Sequence, residues 1–119
     1  MKKEEAGKLD EKIMEYENME KQLEVVLIQK HQLQLQLNEL KHADEELKKA
    51  KGDVYKSIGS LMILSNRDEA GKDIKDRQEL VDVKLNALGK QEEKLRESLT
   101  SAQKSLQERM KEYGQQQGK

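Results

Sequence analysis

The 119-residue chain has no proline, cysteine, phenylalanine or tryptophan, and only three tyrosines. Without proline, nothing in the covalent chain forces a helix to break. Without cysteine, disulfides and thiolate chemistry are excluded, and a reducing, cytoplasmic compartment is compatible. Hydrophobic residues make up 34% and aromatics 3%, too little apolar bulk for a compact globular core, so a long thin molecule is expected. Nowhere do 18 apolar residues follow one another, and "MKKEEAGKLDEK" has no apolar run behind its lysines, so neither a membrane span nor a secretory signal is expected. An excess of one charge is lacking too. The 23 Lys and Arg are interspersed with 24 Asp and Glu, which leaves no unipolar field to hold nucleic acid or an anionic membrane.

What the chain does contain is two helical seams. Alternate steps of three and four give Leu9, Lys12, Tyr16, Met19, Leu23, Val26, Lys30, Leu33, Leu37, Leu40, Asp44 and Leu47, of which nine of twelve are apolar. The same steps from Ile74 give Gln78, Val81, Leu85, Leu88, Glu92, Leu95, Leu99, Ala102, Leu106, Arg109 and Tyr113, again nine of twelve with Ile74 included. These are coiled-coil seams. Each segment of roughly 40 residues would extend about 60 Å, and a turn between them predicts an antiparallel pair. Opposing Leu47 to Ile74 makes partner numbers sum to about 121 or 122, which sets Leu23 against Leu99, Leu37 against Leu85 and Tyr16 against Leu106. The polar seam residues then meet as Lys30 with Glu92, Asp44 with Gln78, and Lys12 with Arg109, the last needing Glu108 or Glu112 beside it. Such polar layers specify register where leucines tolerate slippage. "HQLQLQLNEL" alternates like a strand, but Leu33 and Leu37 lie on the seam and Gln and Leu favour helix, so helix is expected there.

The midpoint differs. Gly52 follows a lysine-rich turn, the chemistry of a helix stop. Asn66 with Glu69 has the pattern of an N-cap and its capping-box partner, although Gly71 argues for a regular helix only a few residues later. Between them "VYKSI" and "LMILS" flank Gly59-Ser60, a pair suited to a type II′ hairpin turn, with paired residues summing to 119. One face carries Val54, Ile58, Leu61 and Ile63; the other carries Tyr55, Met62 and Leu64. A lone hairpin is marginal in water, and its open edges invite further strands. Two thin helices cannot cover both faces and both edges, so the hairpin is expected to be buried in a multi-chain β-structure.

The boundaries expected for a single unit over 1–119 are a helix at about 8–51, a β-hairpin at about 53–65, a helix at about 72–113, and a disordered tail at 114–119. The fold class is mainly α: a long antiparallel coiled-coil helical hairpin with a central β-hairpin that joins an inter-subunit β-barrel.

In this order, helix, "DVYKSIGSLMI" and helix resemble prefoldin subunits of the beta class, over nearly the whole chain. "EYENMEKQLE", "LQLQLNEL" and "KQEEKL" look like archaeal members, though any coiled coil approaches them; the single hairpin between helices of matched length is the specific feature. The resemblance implies a subunit of an ATP-independent chaperone in which two alpha and four beta subunits join their hairpins into β-barrels. The helical arms bind unfolded polypeptides at their tips and pass them to a group II chaperonin, with no cofactor. Carried onto this chain, Val54, Tyr55, Ile58, Gly59, Leu61 and Ile63 would serve assembly. The tips would hold Leu9, Ile13, Tyr16, Met19 and Leu23 from the first helix and Leu99, Leu106, Met110 and Tyr113 from the second. Independent support is that Ile13, Val25, Leu27, Ile28 and Met110 lie off the seam, and that Met14, Met19 and Met110 are flexible side chains suited to varied partners. The rival reading is a purely structural coiled-coil scaffold, which needs no two-sided apolar β-element.

Other chemistry is not indicated. Glu39 and His42 have the spacing of a helical di-iron half-motif, but no second such motif is present, so no metal site is expected. His31 reads as a solvated side chain, no catalytic grouping accompanies either histidine, and the seven glycines are scattered rather than gathered in a phosphate loop.

Overall fold

The computed structural model describes residues 3–117, without the side chains of Glu5, Tyr113 and residues 115–117. In chain order it contains helix α1 (Lys3–Lys49), strands β1 (Val54–Ile58) and β2 (Leu61–Ser65), and helix α2 (Arg67–Gln117). The fold is therefore mainly helical, with two long helices joined by a small antiparallel hairpin. The alternating Gln-Leu stretch is helical throughout, as its seam leucines and propensities require.

The chain divides into two compact units, Met1–Gln29 with Leu88–Lys119, and Lys30–Ala87. In the first, Leu9, Lys12, Tyr16, Met19 and Leu23 are half-buried and Val26 is buried, while α2 contributes half-buried Leu88, Glu92, Leu95, Leu99, Ala102, Leu106 and Arg109. In the second, Lys30, Leu33, Leu37, Leu40, Asp44 and Leu47 are half-buried, as are Ile74, Gln78 and Leu85, with Val81 buried. Every described seam position is thus covered, the result expected when a 3.5-residue repeat keeps one stripe against a partner helix. Val26 at 2% and Val81 at 6% exposure are the buried hydrophobics among the described residues, one in each unit.

Three local features depart from the sequence reading. First, α2 begins at Arg67 rather than near residue 72. Asn66 Oδ1 accepts the Glu69 N–H at 2.8 Å, and the Asn66 carbonyl accepts the Ala70 N–H at 2.9 Å. That cap satisfies a helix-terminal donor and, with the acidic Asp68 and Glu69 in the first turn, outweighs the roughly 1 kcal/mol disadvantage of glycine at position 71. Second, α1 starts at Lys3 and ends at Lys49, where the Ala50 N–H still reaches the Glu46 carbonyl at 2.9 Å. Gly52 is not left-handed, so the helix leaves for the connector without a glycine cap. Third, α2 continues to Gln117, which makes helical residues 114–117 of the stretch expected to be a disordered tail; residues 118–119 lie outside the described residues.

Two polar seam residues also make ion pairs within their own helices. Asp44 Oδ2 lies 3.2 Å from Lys48 Nζ on its own helix. An i,i+4 carboxylate and amine are neighbours on the helix surface and need no particular register between helices to meet. In the first unit, Arg96 Nε donates to Glu92 Oε2 at 2.9 Å.

Candidate functional site

The hairpin pairs Val54 with Ser65, Tyr55 with Leu64, Lys56 with Ile63, Ser57 with Met62 and Ile58 with Leu61, all summing to 119 as the sequence predicts. Gly59 has φ 59°, and among the described residues no non-glycine has positive φ. A left-handed first residue followed by an ordinary second one fits type II′ and excludes type I′, which needs positive φ at both. This turn matches the right-handed strand twist, so five residues on each side pair in register.

Partners across an antiparallel ladder share a face. Val54, Lys56, Ile58, Leu61, Ile63 and Ser65 therefore project one way, and Tyr55, Ser57, Met62 and Leu64 the other. Neither apolar set is covered: Tyr55, Ile58, Leu61, Met62, Ile63 and Leu64 are 47 to 67% exposed. In a two-residue hairpin the pair flanking the turn exchanges hydrogen bonds and the pairs alternate from there. The backbone groups of Tyr55 and Ser57 on one edge, and of Met62 and Leu64 on the other, consequently point outward without a strand to meet.

The single charged residue of the strands, Lys56, places Nζ 3.0 Å from Asp73 Oδ2 on the second turn of α2, and Arg77 Nη2 approaches the same oxygen at 3.7 Å. The bond from Lys56, reinforced by the positive charges of Lys56 and Arg77, holds the Asp73 carboxyl below its ordinary value against a weaker upward push from desolvation. Ser65 Oγ donates to Glu69 Oε2 at 3.3 Å. The Glu69 side chain therefore reaches the Ser65 hydroxyl while its N–H meets the Asn66 cap. A narrow cleft lined by Lys56, Ile63, Ser65, Glu69, Asp73 and Asp76 separates this face from α2.

The expected tip residues fall in the first unit. Leu9, Ile13, Tyr16, Met19, Leu23, Leu99 and Leu106 are half-buried, Met110 is 60% exposed, and the Tyr113 side chain lies outside the described residues. Ile13, expected to project from the seam, is half-buried with it. The apolar side chains that do project there are Met14, Val25, Leu27, Ile28 and Met110. Sequence reading missed two further exposed residues, Leu80 and Val83, which repeat at i,i+3 on the outer face of α2. It also missed the tether from Lys56 to Asp73, whose only signal was an isolated lysine in an apolar run. Among the described residues no three His, Cys, Asp or Glu side chains gather as metal ligands, and no helix is long and apolar enough to cross a membrane.

The family model described as prefoldin subunit matches residues 10–113. A protein of Pyrococcus furiosus named prefoldin subunit beta is 36% identical over 93 residues, covering 76% of this chain and 80% of that protein. Its namesake in Thermococcus kodakarensis is 38% identical over 93 residues, with the same shares covered. The crystal structure of the prefoldin beta subunit from Thermococcus strain KS-1 superposes with a TM-score of 0.79 at 33% identity, over 85% of this chain and 90% of that one.

Proposed function

The chain belongs to the prefoldin subunit family, and on that premise we propose that it is a beta-type subunit of an ATP-independent hexameric chaperone in the cytoplasm. The family is one of chaperones that form hetero-oligomers, not of enzymes. Four copies of this chain would join two alpha subunits through their hairpins, with Val54, Tyr55, Ile58, Gly59, Leu61 and Ile63 at the joints. Unfolded polypeptides would be held by the ends of α1 and α2 in the first unit and handed to a group II chaperonin. The observation that carries this reading is the hairpin: two open edges and six exposed apolar side chains on a two-stranded sheet that is marginal alone. A scaffold needs only the seams and leaves that element without a role.

At the client-holding ends, half-buried seam residues such as Tyr16, Met19, Leu99 and Leu106 supply the apolar floor. Met14, Val25, Ile28 and Met110 supply the side chains already available to a client. Several weak ends acting on one unfolded chain gain avidity without any strong single contact.

The test is suppression of aggregation of a denatured model protein by this chain, alone and with an alpha subunit, with mass followed by light scattering. Partner-dependent growth to a hexamer, and suppression without nucleotide, are expected. Truncating both helix ends should abolish suppression and leave the hexamer intact. A chain that neither assembles with the partner nor suppresses aggregation overturns the reading.

A further inference from the structure

The hairpin is attached to its two helices unequally. Residues 50–53 separate α1 from β1, and one residue, Asn66, separates β2 from α2. Asn66 is also bound twice to α2, through its cap bond to Glu69 and its carbonyl bond to Ala70. Ser65 at the end of β2 reaches Glu69, and Lys56 on β1 reaches Asp73. Among the described residues, no hydrogen bond or ion pair joins either strand to α1.

The two tethers do different work. The Ser65 bond lies beside the pivot and restrains rotation weakly. Lys56 pairs with Ile63, three residues or about 10 Å along the strand from Asn66, so its bond acts on a longer lever and limits the angle between hairpin and helix. An isolated charge is otherwise out of place on an apolar strand, and Asp73 is held by it, with Arg77 behind, on the helix face that looks onto the cleft.

We propose that the hairpin and the first two turns of α2 form one rigid piece, with the Lys56–Asp73 pair as the strut that sets the angle at which the strands meet neighbouring subunits, and with residues 50–53 as slack. This rests on the assembly reading above. Closing strands from several chains into a barrel requires a definite tilt. A subunit whose hairpin already has that tilt loses less conformational freedom on assembly. Lys56 and Asp73 are thus positioning residues, acting through the strands rather than at the joint.

Because the chain has no cysteine, Ser57→Cys and Glu79→Cys admit one spin label each, on the hairpin and on α2, and the distance distribution between them reads the angle directly. The otherwise unaltered chain is expected to give one narrow distance. Lys56→Met should broaden it, Lys56→Arg should keep it, and the exchanged pair Lys56→Glu with Asp73→Lys should restore it. Inserting Gly-Ser between Lys51 and Gly52 should leave the distribution narrow, whereas the same insertion between Ser65 and Asn66 should broaden it. With the alpha subunit, Lys56→Met should raise the concentration for half-assembly by about two- to fivefold, the range of a partly exposed ion pair. An unchanged width in Lys56→Met, or equal damage from the two insertions, overturns the rigid piece. Broadening with assembly equal to that of the parent chain overturns the role in assembly. Broadening in a chain whose parent does not assemble at all refutes the assembly reading and leaves the strut standing.

Discussion

The Leu47 Cδ2 methyl lies 3.7 Å from the point where a side chain on Gly71 would begin, which brings the last turns of α1 against the first turns of α2 within the second unit. Leu47 therefore packs one turn from Ile74, its expected seam partner. The separation is ordinary van der Waals contact, so Gly71→Ala adds a methyl without displacing Leu47 and removes the helix penalty of glycine. A gain of about 0.5–1 kcal/mol is expected in urea unfolding followed by circular dichroism. Gly59→Ala should go the other way by about 1–2 kcal/mol, because φ 59° is left-handed although the space around it is open.

Asn66 caps α2 with its side-chain oxygen. Asn66→Ala leaves the Glu69 N–H without that acceptor and should cost about 1 kcal/mol, while Asn66→Asp and Asn66→Ser, which keep an acceptor, should lie close to the parent chain. A thermal melt at fixed protein concentration separates these cases. An alanine variant as stable as the parent would show that Asn66 is only a connector.

Asp73 has a native carboxyl held below its ordinary value of 3.8, mainly by the Lys56 bond. A depressed acid contributes stability that is complete above the unfolded value and disappears as pH falls through the lower native value. The contribution of this pair is accordingly constant near neutrality and is lost only in acid. Following the Asp73 carboxyl by NMR as pH is lowered should place its midpoint below that of an unfolded reference. Lys56→Met should move it up, and no movement would mean that Arg77 or the helix, rather than Lys56, holds the charge.

Among the described residues, Val26 and Val81 are the buried side chains of their respective units. Removing two methyl groups from either should destabilise by about 2 kcal/mol. Val83, 65% exposed two residues from Val81, should tolerate alanine within about 0.5 kcal/mol. Equal losses at Val81 and Val83 would show that the outer face of α2 is covered in solution.

Much of this protein was legible in its residues because the relevant physics is periodic and local. A 3.5-residue repeat places Leu9 through Leu47 and Ile74 through Arg109 on covered stripes wherever the chain is helical. A Gly-Ser pair between two five-residue β-prone runs admits one tight turn, and the turn dictates the pairing of Val54 through Ile58 with Ser65 through Leu61. Where competing local signals met, arithmetic on residue types could not decide. Gly71 argued against a helix start that the Asn66 cap permits, and Gly52 resembled a cap that its backbone does not form.

What only the tertiary structure decided depends on distances between elements. Ile13 is covered and Leu80 and Val83 are not, a distinction set by where the partner helix stops shielding each flank. The meeting of Lys56 with Asp73 requires a particular angle between a strand and a helix. Sequence periodicity carries no information about that angle, since it describes each element along its own axis and is silent on how one axis meets the next.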